Sequence, residues 1–240
     1  MGYEKQPSEW VQFSHGVKSP DGSKLIYLRY NQKYHKPKGL FRFPDGGRVK
    51  KTEKELAFYI YDYSENSTKK IVPVAGHPGN PPNIFISWKK NGIAYWLNSA
   101  FNKNYIPSVS WSHNRGIFFI NTMSWKQHQV LPYGEIPELS PDGTQAAFLR
   151  RTEADSSELC AVNIDGANLR ILMNLRKMKV NRIEWAEINT IFLHTSVTEK
   201  KVYQFNFSDG RLIPAVRDYH HTVPRISRSE LKEILREKRT

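Results

Sequence analysis

Two stretches of the sequence share one pattern without a gap: Ser19-Pro20-Asp21-Gly22-Ser23-Lys24-Leu25-Ile26-Tyr27-Leu28-Arg29 and Ser140-Pro141-Asp142-Gly143-Thr144-Gln145-Ala146-Ala147-Phe148-Leu149-Arg150. Each begins as a turn, because Pro presets the first turn dihedral, Asp bonds its own downstream backbone and Gly supplies a positive φ. Each continues as an apolar strand. We therefore predict that Asp21 and Asp142 build turns, with Pro20, Gly22, Pro141 and Gly143, and are not catalytic acids.

Weaker copies of this pattern recur along the chain, each with an aromatic residue, a polar turn and an apolar strand. They begin at Trp88, Trp111 and Trp185, and each predicts a hairpin at the start of a module. A second kind of hairpin closes on Asp-Gly before a basic strand, as in 159–172 and 202–213. Because modules of similar length recur, the sequence predicts a repeat protein.

Helical periodicity is confined to the tail, whereas β-branched and aromatic runs bounded by Gly, Pro, Asn and Asp recur before it. The tail has a capping Ser227 followed by apolar residues at 231, 234 and 235. This pattern predicts a short amphipathic helix. We expect its apolar edge to pack on the last module, and a role in docking a partner is the alternative.

These repeats resemble the TolB-like propeller family, whose blades carry a Trp-Ser-Pro-Asp-Gly turn, an apolar strand and an outer hairpin closed by Asp-Gly. The resemblance is strong over 136–173, fair over 10–74 and 181–216, and loose over 83–134. It implies an all-β propeller of about four to five four-stranded blades, followed by a short C-terminal α-helix. Four or five blades close alone, and an incomplete ring instead pairs with a second copy as a homodimer.

The expected organisation is a propeller over 1–222 and a helical tail over 223–240. Within the propeller, the blades are placed at about 8–76, 83–134, 135–175 and 180–217. A basic insert over 31–53 lengthens the first blade.

Composition favours a soluble globular protein, since no apolar stretch approaches the roughly 20 residues that span a bilayer. The compartment is open: no signal peptide is visible at the start of this chain, and a removed signal would make the protein periplasmic. The one cysteine, Cys160, lies in an apolar run, which predicts a buried residue without a reactive role.

The formal net charge is +13, and the excess is concentrated in two runs. Between Lys24 and Lys54 there are ten basic and two acidic residues, and no carboxylate interrupts the run from Arg170 to Arg182. The candidate binding residues are Lys33, Lys36, Lys38, Arg42, Arg48, Lys50, Lys51, Arg176, Lys177 and Lys179. These runs are either solvated loops or surfaces that bind anions.

Aromatic residues interleave with the first basic run at Tyr27, Tyr30, Tyr34, Phe41 and Phe43. Exposed aromatic side chains among cations stack on nucleic-acid bases. Alternating Tyr residues are also what a half-buried sheet requires, and we favour that interpretation.

The sequence contains no recognisable catalytic or phosphate-binding motif, and we expect no metal and no cofactor. A glycosidase needs two carboxylates that converge on the substrate. Glu135, Glu138 and Glu184 are the only candidates beside predicted inner strands, and we favour surface salt bridges for them.

The sequence therefore predicts a non-enzymatic propeller scaffold that binds a protein partner through the loops of one face and the basic insert. The first alternative is binding of a polyanion, either nucleic acid or an acidic glycan, by the basic runs. The second alternative is a glycan-active enzyme.

Overall fold

The computed structural model describes residues 9–14, 16–35, 51–73, 86–97, 116–153, 156–176, 178–195, 201–215 and 225–236. Within these ranges the chain is almost entirely β-strand with one short helix near its end. The elements are β1 (Glu9–Phe13), β2 (Gly16–Lys18), β3 (Lys24–His35), β4 (Lys51–Asp62), β5 (Ser67–Pro73), β6 (Ile86–Lys89), β7 (Gly92–Leu97), β8 (Gly116–Asn121), β9 (Gln127–Leu131), β10 (Glu135–Leu139), β11 (Gln145–Glu153), β12 (Ser156–Asn163), β13 (Arg170–Asn174), β14 (Val180–Glu187), β15 (Thr190–Thr195), β16 (Val202–Asn206), β17 (Leu212–Pro214), β18 (Arg225–Ile226) and α1 (Arg228–Arg236). Over the same ranges, no helix has both the length and the apolar composition that crossing a membrane requires.

The strands form four antiparallel sheets, and in each sheet four strands that are consecutive in sequence pair as a meander. We call these sheets blades 1 to 4: β2 to β5, β6 to β9, β10 to β13 and β14 to β17. The first strands of consecutive blades contact one another, β2 with β6, β6 with β10 and β10 with β14. This is the arrangement of a β-propeller, so the predicted fold is confirmed, with four blades in the described residues.

The two Ser-Pro-Asp-Gly turns have the same hydrogen bonds. In the first, the Ser19 hydroxyl donates to Asp21 at 2.6 Å, and Asp21 accepts the backbone N–H of Ser23 at 3.1 Å. Gly22 has a φ of 74°, which only Gly adopts at no steric cost. The second turn repeats these contacts with Ser140, Asp142, Thr144 and Gly143, at 2.5 Å and 3.1 Å and with a φ of 75°. The shared sequence therefore specifies one shared turn geometry.

Apolar side chains between the blades form the core. Blades 1 and 2 meet where Tyr95 lies edge-on to Phe58, with ring centroids 4.7 Å apart. Blades 2 and 3 meet around Phe119, Phe148 and Cys160. Burial raises the pKa of the Cys160 thiol to about 11, in agreement with the predicted buried cysteine. Blades 3 and 4 share a third cluster that includes Leu149, Leu159, Trp185 and Leu193.

The C-terminal segment, 225–236, lies against blade 1. Strand β18 pairs with the free edge of β2, where Ile226 is opposite Gly16. Helix α1 begins with a capping box, in which Glu230 N–H bonds the Ser227 hydroxyl and Ser227 N–H bonds the Glu230 carboxylate. Its Leu231 is fully buried against Leu25. The prediction that the helix packs on the last blade is therefore wrong, because β18 first returns the chain to β2.

Blade 1 also carries a long hairpin. Strands β3 and β4 have 12 residues each and pair along their whole length, from Lys24 opposite Asp62 to His35 opposite Lys51. Strand β1 pairs with Arg29–Lys33 on the other edge of β3. Both ends of the predicted insert, 31–53, thus continue the sheet as regular strands, and residues 36–50 lie outside the described ranges.

One weaker repeat was misread at the level of the sequence. Trp88 and Trp185 do lie in the first hairpins of blades 2 and 4. The strand after Trp111, however, is β8, the third strand of blade 2, so this copy does not begin a blade. Trp111 itself lies outside the described residues. By sequence, an aromatic residue and a polar stretch also precede the apolar third strand of blade 2, which is why the pattern alone misplaced this copy.

Candidate functional site

The meander order gives the propeller two different ends. At the turn end, a turn joins the first strand of each blade to the second, and another joins the third strand to the fourth. At the connection end, a link joins the second strand to the third, and another joins the fourth strand to the next blade. The turn end contains the links 19–23, 63–66, 90–91, 122–126, 140–144, 164–169, 188–189 and 207–211. The connection end is where the links 36–50, 74–85, 98–115, 132–134, 154–155, 175–179 and 196–201 leave and re-enter the sheets.

Backbone hydrogen bonds tie the two turns of each blade together. Every blade has one such bond, which we call a tie: Tyr63 N–H to Ser23 O, Thr122 N–H to Asn91 O, Ile164 N–H to Thr144 O, and Phe207 N–H to Asn189 O, at 3.0, 3.3, 3.1 and 3.0 Å. The donor always follows an Asp or Asn that ends the third strand, namely Asp62, Asn121, Asn163 or Asn206. This fourfold Asx position is a repeat signal that the sequence reasoning missed.

Exposed apolar side chains are more numerous at the turn end. Met123 is 87% exposed and Ile188 70%, and Tyr63 and Leu169 are also exposed there. At the described part of the connection end, the one large apolar side chain that is exposed is Tyr133.

Basic residues, in contrast, are more numerous in the links of the connection end. By sequence, the links of the turn end contain three Lys or Arg and five Asp or Glu, whereas those of the connection end contain twelve Lys or Arg and three Asp or Glu. Part of each basic run lies in a link of the connection end: by sequence, 36–50 contains five of the ten cations of the first run, and 175–179 contains three of the five cations of the second. By sequence, the links that join the strands at the connection end therefore have an excess of basic residues, and those at the turn end do not.

The structure describes only part of the predicted binding set. Lys36, Lys38, Arg42, Arg48, Lys50 and Lys177 lie outside the described residues. Lys33 is in β3 at the register position opposite Glu9 and Glu53, and Lys51 is in β4 opposite His35. The side chains of Lys33 and Lys51 lie outside the described part of the structure, so their assignment to an anion site stays a prediction.

Arg176 and Lys179 are both exposed, in the link that joins blade 3 to blade 4. Leu175 N–H bonds Ser157 O at 2.8 Å, and Arg176 N–H bonds the Asn174 side chain at 2.8 Å. Arg176 has a φ of 44°, a conformation that is uncommon for a long side chain and needs surrounding contacts to hold it. The link therefore holds Arg176 in a fixed backbone position at the surface.

Six cations of the described strands form ion pairs with carboxylates. The ion pairs are Lys24–Asp62, Lys70–Glu55, Lys89–Glu138, Arg150–Glu158, Arg151–Glu135 and Arg182–Glu184. Among the residues that the structure describes, none of these pairs involves Arg176, Lys179 or Lys201, all of which are exposed at the connection end. The charge at this end is thus available to an external anion.

The three candidate carboxylates lie apart from that surface and are engaged. Glu138 is buried between blades 2 and 3, with Lys89 Nζ at 3.2 Å. Burial raises the pKa of Glu138, while Lys89 and the Ser87 hydroxyl act in the opposite direction. Glu184 is also buried, beside Arg182 at 3.2 Å and His194 at 3.3 Å.

Glu135 is paired with the exposed Arg151 at 3.0 Å. The favoured surface interpretation is therefore wrong for Glu138 and Glu184, because both are buried near the inner strands. Their cationic partners keep these carboxylates hydrogen-bonded, as burial requires.

In the described residues, no three His, Cys, Asp or Glu side chains form a group that a metal ion would need.

No family model and no curated protein matches this sequence. Solved structures do match. They include TolB from Acinetobacter baumannii (11% identity over 86% of this chain and 55% of that chain, TM-score 0.49), an oligogalacturonate lyase in complex with manganese (14%, 87% and 54%, 0.53) and a prolyl endopeptidase (13%, 88% and 29%, 0.53). The chain spans about half the length of the first two structures. At such identities the similarity to the lyase and the endopeptidase, at a TM-score of 0.53, shows the fold alone.

Proposed function

We propose that this chain is a non-enzymatic propeller scaffold that binds an acidic macromolecule through its connection end. The observation that carries this proposal is the segregation of charge, with twelve basic and three acidic residues in the links of one end against three and five at the other. A surface with one sign of charge attracts ligands of the other sign and speeds their association. Both an acidic protein and a polyanion meet this description.

The state of the described cations supports the proposal. Arg176 and Lys179 are exposed outside the ion pairs of the sheets, and the link that carries them is fixed by backbone bonds. Arg is well suited to anions because its planar guanidinium donates two parallel hydrogen bonds to a carboxylate or phosphate. A fixed cation also loses less conformational entropy on binding than a free one.

The central carboxylates support a scaffold in preference to an enzyme. Similar solved structures include a lyase and prolyl endopeptidases, so the fold by itself favours neither a scaffold nor an enzyme. In this chain, Glu138 and Glu184 are each held by a cation from an inner strand. We assign them to the packing of the blades, and glycan hydrolysis is not favoured by any contact of the described residues.

Charge reversal at one end of the molecule tests the proposal. The variant Arg176→Glu with Lys179→Glu alters the connection end, and Lys90→Glu with Lys126→Glu makes the same change in net charge at the turn end. Fluorescence anisotropy measures the binding of labelled DNA and labelled poly-L-glutamate at low salt. Circular dichroism confirms that both variants are folded.

We expect the connection-end variant to lose about tenfold or more in affinity for any probe that the native protein binds. The turn-end variant is expected to lose less than about threefold, because its charges lie at the far end and are screened within about a Debye length. Equal losses in the two variants, or no binding of either probe by the native protein, would overturn the proposal.

A further inference from the structure

Blade 1 has apolar side chains on both sides of its sheet. Toward blade 2, Ile26, Leu28 and Phe58 pack in the cluster that includes Tyr95. Side chains alternate along a strand, so the residues between these face the opposite way. Five such residues of β3 and β4 are buried in a second cluster, namely Leu25, Tyr27, Ala57, Tyr59 and Tyr61. We call these five residues the outer face of blade 1.

Two aromatic residues of the first basic run lie on these two sides. Tyr30 belongs to the cluster shared with blade 2 and Tyr27 to the outer face, and each is 1% exposed. Both are therefore sheet residues, as the favoured interpretation expects. The side chains of Tyr34, Phe41 and Phe43 lie outside the described part of the structure.

The corresponding side of blade 4 has a charged group near its centre. Trp185 and Leu193 face blade 3. By the same alternation, the opposite side of their strands carries Glu184 and His194, whose Oε2 and Nε2 atoms are 3.3 Å apart, with Arg182 beside them. Blade 1 is thus distinguished by an outer face of apolar and Tyr side chains, and the cluster on this face contains no residue of another described blade.

The C-terminal segment covers the outer face. Ile226 lies opposite Gly16, and a Cβ atom added to Gly16 would be 3.5 Å from the Cβ of Ile226, so the two strands approach closely. In α1, Leu231 is fully buried, and Ile234 and Leu235 pack at the edge of the same cluster. Apolar residues three and four positions apart form one stripe of a helix. The outer face therefore receives the apolar stripe of an amphipathic helix.

The first turn of α1 adds an electrostatic contact. Hydrogen bonds with Ser227 and the charge of Lys18 hold the pKa of Glu230 below its ordinary value. Lys18 is in β2, and its Nζ lies 5.9 Å from the centre of the Tyr63 ring. A carboxylate in the first turn interacts favourably with the helix dipole as well as with this cation. The outer face is thus matched to a helix that has an acidic first turn.

The C-terminal segment is attached by few contacts. Strand β18 has two residues and α1 has nine, which is too short for a helix to be stable alone. Of the seven buried residues of the cluster, two belong to this segment, Ile226 and Leu231. The clusters between blades each contain ten or eleven buried residues. Because local stability follows buried apolar contact, α1 should open more readily than the blades.

We infer that the outer face of blade 1 is a docking site for an amphipathic helix of a partner protein, and that α1 occupies this site as an intramolecular competitor. The partner helix has the chemistry of α1: an acidic first turn and apolar residues at one position and at three and four positions after it. Because α1 is part of the same chain, its local concentration is high, and the partner binds only the fraction of molecules in which α1 is released. The site uses no link of the connection end, so the inference goes beyond the proposed function.

The test uses the full chain and a labelled peptide with the sequence of residues 225–236. A release variant, Leu231→Ser with Ile234→Ser, removes two apolar contacts of α1 and leaves the outer face unchanged. Its matched control, Lys232→Ser with Glu233→Ser, alters two exposed residues of the same helix and keeps the net charge. A second peptide contains the same two substitutions as the release variant. Fluorescence anisotropy measures peptide binding, circular dichroism measures folding, and light scattering measures mass.

We expect the release variant to stay folded and to bind the native peptide about tenfold or more tightly than the native chain or the control does. If α1 is docked nine-tenths of the time, the face is open in about one-tenth of the molecules. The substituted peptide should bind to none of them. In the native chain, backbone amides of α1 should exchange with solvent about tenfold or more faster than those of β11 and β12.

A release variant that does not fold would overturn the inference, because α1 would then be part of the core. Peptide binding that is no tighter in the release variant than in the native chain would also overturn it. Equal exchange rates in α1 and β11 would show that α1 opens only when the whole molecule unfolds, which contradicts a competitor. A release variant that dimerises and does not bind the peptide would assign the face to a second copy and overturn the helix partner. Each of these results leaves the proposed function at the connection end standing.

Discussion

The turn end and the connection end are built from the same strands but differ in almost every property. Links at the turn end are short, and one tie in each blade joins its two turns. Links at the connection end vary from two residues in 154–155 to 18 in 98–115, and carry most of the excess positive charge. The turn end also exposes apolar side chains such as Met123.

The tied turns of the turn end hold each blade together, whereas the links of the connection end differ between blades in length and composition. A tie satisfies two backbone groups that a turn would otherwise leave to water, and it fixes the relation between the two hairpins of a blade. Links without such a repeated bond tolerate changes in length and composition. Binding residues of scaffold proteins commonly lie in such links. The comparison therefore assigns stability to the turn end and binding to the connection end.

The largest expected effect comes from lengthening one link at each end. Insertion of Gly-Ser between Ile188 and Asn189 breaks the tie to Phe207 and the hairpin register of blade 4, which should lower the free energy of unfolding by about 2 kcal/mol or more. The same insertion between Ala154 and Asp155 is expected to cost less than about 1 kcal/mol, the entropy of a longer loop. Urea denaturation measures both, and equal costs would contradict the assignment of stability to the turn end.

Removal of one turn hydroxyl is expected to have the next largest effect. Ser140 is buried, and its hydroxyl donates to Asp142 and accepts the backbone N–H of Gln145 at 3.0 Å. Ser140→Ala should therefore lower the free energy of unfolding by about 1–2 kcal/mol. Because the first turn has the same bonds, Ser19→Ala should cost a similar amount.

The control for these serine variants is Lys179→Ala at the connection end, which should change the free energy of unfolding by less than about 0.5 kcal/mol. The three variants are compared by the midpoint of urea denaturation, with one common slope for the dependence of the free energy of unfolding on urea concentration. A cost for Lys179→Ala as large as that for Ser140→Ala would show that the connection end is equally structural.

The loss of folding stability at acidic pH should depend on two carboxylates of the turn end. Hydrogen bonds from Ser19 and Ser140 hold the pKa values of Asp21 and Asp142 below their ordinary value of 3.8. A lowered pKa in the folded state contributes stability that is present above pH 3.8 and is lost as the pH falls below it. Buried Glu138, with its raised pKa, acts with the opposite sign: its contribution is present below pH 4.5 and is lost as the pH rises.

The variant Asp21→Asn with Asp142→Asn should therefore lose less stability than the native protein between about pH 5 and pH 2. Thermal unfolding followed by circular dichroism at a series of pH values gives the two profiles. If the unfolding temperatures of the variant and the native protein fell in parallel as the pH is lowered, other carboxylates would determine the loss of stability at acidic pH.

The smallest expected effect concerns the exposed apolar residues of the turn end. Met123→Ser and Ile188→Ser remove side chains that are mostly in water already, so stability should change by less than about 0.5 kcal/mol. Binding of labelled DNA and of labelled poly-L-glutamate should not change either. A clear loss of binding in these variants would reverse the roles that we assign to the two ends.

Local signals in the sequence were sufficient for the fold class. The twin turns at Asp21 and Asp142 specify their own geometry through neighbouring residues, and the family resemblance that these turns carry implied blades of four strands. The capping Ser227 was visible in the same way, whereas the reciprocal bond from Ser227 N–H to Glu230 comes from the structure. Such features depend on residues a few positions apart, which a sequence displays directly.

Contacts between distant residues were not predictable in this way. The apolar residue Leu231 shows that the helix packs, but its location on blade 1 depends on the pairing of β18 with β2. The burial of Glu138 depends on Lys89, 49 positions earlier, and on the packing of blades 2 and 3. The fourfold Asp or Asn before each tie was present in the sequence, and aligning the third strands would have shown it.

The return of the C-terminal segment to blade 1 has a consequence for biosynthesis. During translation, the strands that carry Leu25 and Tyr61 emerge before blades 2 to 4, whereas Ile226 and Leu231, which cover them, emerge after those blades. Until then this apolar side of blade 1 is open to water and to other nascent chains, a state that favours aggregation. Blade 1 thus leaves the ribosome before the other three described blades and is completed after them.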